Sequence, residues 1–221
     1  MRSYYRILYR LAVAAVGIAG IVLQMIQAQS AITMLSFYTV QSNVVCVVMF
    51  AVLAILEFRG RVPQGKKYPY IKGLVTAGIM LTFAVFHFML RPNIIELGEE
   101  ALYYMDSLPN TIVHYVVPLA TLMDYVLFDK KGCYRWKYPF LWTVMPLGYL
   151  AYTVVYRLCG GLYFLNGTVI RFPYFFLDYE TYGWTAVLLW FVALYLLYVA
   201  FSYIIVVIDK LLATIKIKSE T

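Results

Sequence analysis

The chain has 221 residues, of which 63% are hydrophobic and only 13% charged, with a net charge of +7. Soluble domains carry about 45–50% apolar and about 25% charged residues. The composition therefore excludes an ordinary soluble domain, a disordered chain and a disulfide scaffold, and the positive balance in so apolar a chain points to membrane orientation rather than nucleic acid.

A bilayer crossing needs about 20 consecutive apolar residues. Six segments qualify, near 7–27, 36–57, 71–90, 108–128, 138–157 and 184–208. Backbone groups in hydrocarbon must be satisfied internally, so these segments predict an all-α bundle of six transmembrane helices. The connections are too short for a separate soluble unit, and 1–221 reads as a single transmembrane domain. No internal repeat stands out.

The first segment carries Arg2, Arg6 and Arg10 before its apolar run and Ala28 and Ser30 after it. This reads either as a retained first helix or as a signal peptide with a cleavage site. The second segment opens with Ser36-Phe37-Tyr38-Thr39-Val40-Gln41-Ser42-Asn43, in which Thr39, Ser42 and Asn43 share one helical face. Segment three places His87 one turn before Arg91, and segment four places Asn110 one turn before His114. Segment five ends with Tyr149, Tyr152, Thr153, Tyr156 and Arg157, mostly on one stripe. The following loop is aromatic, from Phe172-Pro173-Tyr174-Phe175-Phe176-Leu177 to Asp178, and reads as an interfacial belt or as a lid over the bundle.

Basic residues fix the orientation. Of the 18 Lys and Arg, only Arg91, Arg157 and Arg171 fall in the connections on one side. The rest lie at the termini and between segments two and three and four and five, which places both termini in the cytoplasm. Glu96, Glu99, Glu100, Asp106, Asp178 and Glu180 lie on the other side, where the connection between segments three and four is acidic enough for a short interfacial helix. The Asn166-Gly167-Thr168 sequon faces the same way and reads as a chance match. Cys46, Cys133 and Cys159 sit at different depths and are expected to be unpaired.

With this orientation, both histidines and the polar face of segment two lie in the outer half of the membrane. A rise of 1.5 Å per residue puts His114 roughly 10 Å below the outer boundary. The inner halves hold few polar groups beyond Asp124 and Asp209, and Asp124 is expected to pair with Lys72 or Lys130. Polar groups at membrane depth are costly and often functional. A Thr there can also simply bond the carbonyl one turn back, and Asn or His can lock helices together. The clustering at one depth favours a pocket formed by Thr39, Ser42, Asn43, His87, Asn110, His114, Tyr152, Tyr156 and Asp178. Two histidines without a nearby carboxylate or thiolate make a thin ligand set, so no metal or cofactor is expected. There is no Walker A loop, dinucleotide fingerprint, HExxH, CxxC or GxSxG.

Phe37-Tyr38-Thr39 with Gln41-Ser42-Asn43, then Asn110-x-x-x-His114-x-x-x-Pro118, then Phe172 to Asp178, resembles the bacterial six-span Pr-six-Pr integral membrane family. More distantly the chain is similar to the eukaryotic androgen-induced protein family, membrane hydrolases that cleave fatty-acid esters of hydroxy fatty acids with a threonine and a histidine. The resemblance implies Thr39 as nucleophile, His114 as base, a bacterial cell membrane as location, and membrane lipids and a lipid-like substrate as partners. Asn43 or Asn110 could then donate to the oxyanion, and Asp178 could orient the histidine. The alternative is a non-enzymatic lipid or small-molecule carrier built on the same pocket.

Overall fold

The computed structural model describes residues 2–61, 63, 65, 67–92, 106–165 and 167–220. Glu96, Glu99, Glu100, the expected interfacial helix, Lys66 and Asn166 of the sequon lie outside the described residues.

Helix α1 runs Arg2–Gln27 and the short α2 runs Ala31–Leu35, capped by Ser30 Oγ accepting from Thr33 N. Helix α3 is Tyr38–Phe58 and α4 is Lys67–Leu90, whose last turn, Phe86–Leu90, is π-helical. Helix α5 is Leu108–Phe128 and contains a second π turn at Ile112–Val116. Two shorter helices follow, α6 at Tyr138–Trp142 and α7 at Val144–Leu158. A small antiparallel hairpin, β1 Tyr163–Leu165 with β2 Thr168–Ile170, is an addition to the all-helical expectation. The last helix, α8, spans Tyr179–Glu220 and bends at Gly183, whose φ of 76° is accessible to glycine at little cost.

Five helices, α1, α3, α4, α5 and α8, are long and apolar enough to cross a membrane. Apolar side chains cover their outward faces as well as the core: Val44, Val48, Val52 and Ile55 form an exposed stripe on α3, and Trp184, Leu188 and Val192 another on α8. Such surfaces are stable only against lipid, and the chain is an integral membrane protein of helical class.

The expected fifth crossing is divided at Thr143. Pro146 has no N–H to offer the carbonyl of Trp142 four residues back. That carbonyl is taken instead by the Tyr198 hydroxyl of α8 at 3.0 Å, which ties the break to the neighbouring helix.

Helix α1 packs along α3 and α5 at close range. A Cβ on Gly20 would stand 2.4 Å from Ile112 Cγ2, and one on Gly17 2.7 Å from Val47 Cγ2. Val13 and Ala14 then join Phe50, Ile79, Val113 and Val117 in one core cluster. A second cluster links α4, α5, α6 and α8 around Trp142, Tyr125 and Tyr198.

The end of the bundle opposite Thr39 is more polar inside than its sequence suggests. Arg10, Glu57, Lys72 and Asp124 are all buried there. Lys72 bonds Asp124 Oδ2, and Arg10 reaches Asp124 at 2.9 Å and Glu57 at 3.3 Å. Arg6 also pairs with Glu57, and Asp129 lies 3.6 Å from Lys72. Lys130 is not the partner of Asp124. The count of basic residues assigns Arg10 to a wet flank; helix packing turns it inward beside Asp124 and Glu57, while Lys72 is the one of the two expected partners that Asp124 takes. Asp209 of α8 accepts from the Tyr125 hydroxyl at 2.6 Å and from the backbone N–H groups of Gly132 and Tyr134, pinning the connection between α5 and α6. Cys46 is buried, Cys159 exposed, and all three cysteines are free.

Candidate functional site

Thr39 lies in the first turn of α3, and His114 sits in the π turn of α5. Their side chains meet at 3.2 Å, from Thr39 Oγ1 to His114 Nε2, in a buried position. The other ring nitrogen, Nδ1, is 2.9 Å from the carbonyl oxygen of Asn110. A carbonyl can only accept, so Nδ1 carries the proton. In the neutral ring Nε2 is then an acceptor, and it faces the threonine hydroxyl. The backbone of α5 thus selects the tautomer that a general base needs.

Neighbours hold this pair in place. Phe86, in the π turn of α4, stacks on the His114 ring at 3.8 Å between centroids. Asn43 is fully buried and donates to the Thr39 carbonyl at 2.8 Å and to the Val113 carbonyl at 3.0 Å. The second bond answers a local need. In the π turn Val117 N–H bonds back to Ile112, and Pro118 has no N–H, so the Val113 carbonyl finds its donor on α3. Ser42 Oγ bonds the Thr39 carbonyl at 3.0 Å and lies 2.8 Å from Thr82 Oγ1. Gln24 of α1 donates to Asn110 Oδ1 at 2.8 Å.

The remaining sequence candidates stand around this pair rather than on it. His87 is exposed and bonds the Tyr115 hydroxyl at 3.0 Å, while its ring stacks on Phe83. Tyr152 donates to Ser36 Oγ at 3.0 Å and Tyr156 to the Leu162 carbonyl at 3.0 Å. Asp178 accepts from Thr181 N at 2.9 Å and caps α8, leaving the orientation of His114 to the Asn110 carbonyl. Both N–H bonds of Asn43 go to backbone carbonyls, so it braces the site instead of supplying an oxyanion donor.

Thr39 opens onto a cavity of about 370 Å³ between α4, α7, α8 and the aromatic loop. Its wall is apolar, with Leu81, Val85, Leu147, Leu150 and Leu188 among its residues, and Arg157 is the one charged side chain among the described residues that line it. Arg157 is held by Glu180 at 2.7 Å. From the loop, Phe172, Tyr174, Phe176 and Leu177 also line the cavity. Burial pushes the Tyr174 phenol above its ordinary range. Gln24, Thr82, Phe86 and Tyr174 are site residues that sequence reasoning passed over; only the aromatic loop motif carried a signal for the last. Among the described residues, no group of three or more His, Cys, Asp or Glu gathers to hold a metal ion.

No protein-family model, curated protein or solved structure matches the chain.

Proposed function

We propose that this protein is an intramembrane hydrolase of lipid esters, with Thr39 as nucleophile and His114 as base. One observation carries the reading: the Thr39 hydroxyl stands 3.2 Å from His114 Nε2 while Nδ1 is committed to the Asn110 carbonyl. A threonine hydroxyl is a weak nucleophile until a base takes its proton. His114 accepts that proton as Oγ1 attacks the acyl carbon, then returns it to the departing alkoxide. Water hydrolyses the acyl-threonine with the same histidine as base, and Thr39 is regenerated with its proton. The apolar cavity beside Thr39 suits an acyl chain, and these roles agree with those implied by the Pr-six-Pr and androgen-induced resemblance.

In this reading the chain crosses a bacterial cell membrane six times, with α6 and α7 together making the fifth crossing. Both termini are cytoplasmic, as the basic connections direct, and Thr39 lies in the outer half. A non-enzymatic lipid carrier is the second reading, favoured by the apolar lining of the cavity.

The test is covalent labelling of the purified protein by an alkyl fluorophosphonate, with the adduct located by mass spectrometry. Labelling falls on Thr39 and is lost in Thr39→Ala and in His114→Ala. Labelling that survives both substitutions refutes the assignment. A carrier instead retains lipid binding in Thr39→Val and gives no adduct.

A further inference from the structure

The end of the bundle opposite Thr39 holds a second cavity, of about 710 Å³, between α1, the start of α4 and the connections that follow α3 and α5. Ligand pockets commonly measure about 300–1,000 Å³. Four cations line it, Arg6, Arg10, Lys130 and Arg135, against one acid among the described residues, Asp129. These charges differ in how they are matched. Arg10 is buried and bonds Asp124 and Glu57, and Arg6 pairs with Glu57. Asp129 accepts from the Tyr68 hydroxyl and lies 3.6 Å from Lys72. Lys130 and Arg135 are exposed, and neither side chain forms an ion pair among the described residues. The inner charges therefore balance, and the surplus of positive charge sits on the rim, at Lys130 and Arg135.

One donor is also left open. The Nε–H of Arg6 is buried and has no hydrogen-bond partner among the described residues, although Glu57 holds the same guanidinium through Nη2. A buried donor without an acceptor is destabilising, and an anionic oxygen is the acceptor that a cationic cavity attracts. The setting narrows the kind of anion. Tyr4 and Tyr5, next to Arg6 in α1, are exposed, and so is Trp136, next to Arg135. Exposed Tyr and Trp at the ends of membrane helices sit at the level of the lipid headgroups. Phe128 and Pro69 add apolar surface to the cavity wall. Cations, an open N–H and apolar surface at headgroup level together match the phosphate end of a lipid.

We infer that this cavity is a phosphate site, filled by the headgroup of an anionic phospholipid from the adjoining leaflet. Lys130 and Arg135 draw the headgroup in, and Arg6 offers its Nε–H to a phosphate oxygen. Arginine suits this role because its planar fork matches phosphate oxygens, and lysine because it is a compact charge. A zwitterionic headgroup brings its own ammonium, which the same rim repels. Under the topology proposed above the leaflet is the cytoplasmic one, whose negative surface already gathers basic segments. Bound lipid joins the connection after α3, through Pro63 and Gly65, to the connection after α5, through Lys130 and Arg135. It therefore stabilises the folded bundle by binding only that form. The site lies at the other end from Thr39 and stands apart from the hydrolase reading.

The test is thermal unfolding of the protein in a neutral detergent, followed by tryptophan fluorescence while short-chain lipids are titrated in. Dioctanoyl phosphatidylglycerol raises the melting midpoint, and dioctanoyl phosphatidylcholine leaves it nearly unchanged. Lys130→Gln with Arg135→Gln still folds, because neither side chain loses a partner. It raises the phosphatidylglycerol concentration at half the maximal shift by roughly an order of magnitude. Arg59→Gln with Arg61→Gln removes the same charge from exposed positions at the same end, outside the cavity, and keeps the lipid response. Inorganic phosphate gives a smaller shift, lost in the variant at Lys130 and Arg135. No shift with phosphatidylglycerol, or equal protection by the two lipids, overturns the site. An equal loss in the variant at Arg59 and Arg61 overturns it too, since diffuse surface charge would then suffice. Inorganic phosphate that protects as well as phosphatidylglycerol overturns the lipid headgroup and makes free phosphate the ligand.

Discussion

Replacing Lys72 by Met tests whether the buried charges at the Arg10 end act as one unit. Lys72 is 1% exposed and Asp124 is fully buried. Three cations, Arg6, Arg10 and Lys72, face three acids, Glu57, Asp124 and Asp129, so the cluster is balanced. Methionine fills nearly the same volume but leaves one buried negative charge in excess. Asp124 retains Arg10 at 2.9 Å, and Asp129 retains the Tyr68 hydroxyl at 2.6 Å. Removing one partner of a buried pair costs about 3–5 kcal/mol, and the surviving Arg10 contacts place this case near the lower end. For a chain of this size each kcal/mol moves the melting point by about 2–4 °C, so a drop of about 6–12 °C is expected. The assay is thermal unfolding in detergent followed by tryptophan fluorescence. The double variant Lys72→Met with Asp124→Leu restores the charge balance and recovers most of the loss, because the desolvation cost of both ions disappears. A single variant that melts with the wild type, or a double variant whose losses simply add, refutes the reasoning.

Two further outcomes are expected. Burial raises the Asp129 carboxyl above its ordinary 3.8, the largest of its causes being desolvation. Its folded form therefore holds the proton more tightly than the unfolded chain does. That contribution is full below 3.8 and is lost as pH rises through the raised folded value, so Asp129→Asn flattens the fall in stability on the alkaline side of 3.8 in unfolding measured across pH. Asn43→Ala removes the tie between the Thr39 and Val113 carbonyls. A misplacement of about 1 Å at a reacting pair costs about 10²-fold, so labelling of Thr39 falls by one to two orders of magnitude, measured as an initial rate, while helix content by circular dichroism is unchanged.

The helical membrane class was legible because it depends on local quantities, the length and polarity of each segment. Four of the expected segments agree with helices α1, α3, α4 and α5 to within a few residues at each end. The fifth was legible as apolar but not as broken, since the consequence of Pro146 depends on Tyr198 offering its hydroxyl from another helix. Thr39 and His114 were legible as polar groups at one depth, for the same reason that hydropathy is: rise per residue is fixed within a helix.

Their meeting, and the tautomer of His114, belong to the tertiary structure. Spacing along α5 put Asn110 one turn from His114, but the π turn decides that the Asn110 carbonyl, not a carboxylate, holds Nδ1. Asp178 looked available to orient the ring and caps α8 instead. Arg10 shows the same limit in reverse. A basic residue near a segment end reads as solvated, yet the rotation of each helix against its neighbours decides whether it meets water or an acid. Sequence alone therefore determined the solvent this protein lives in and the residues able to do chemistry. Only the packing of helices distant along the chain decided which of them meet, because the hydrogen bonds and ion pairs that choose partners act over a few ångströms and join residues a hundred positions apart.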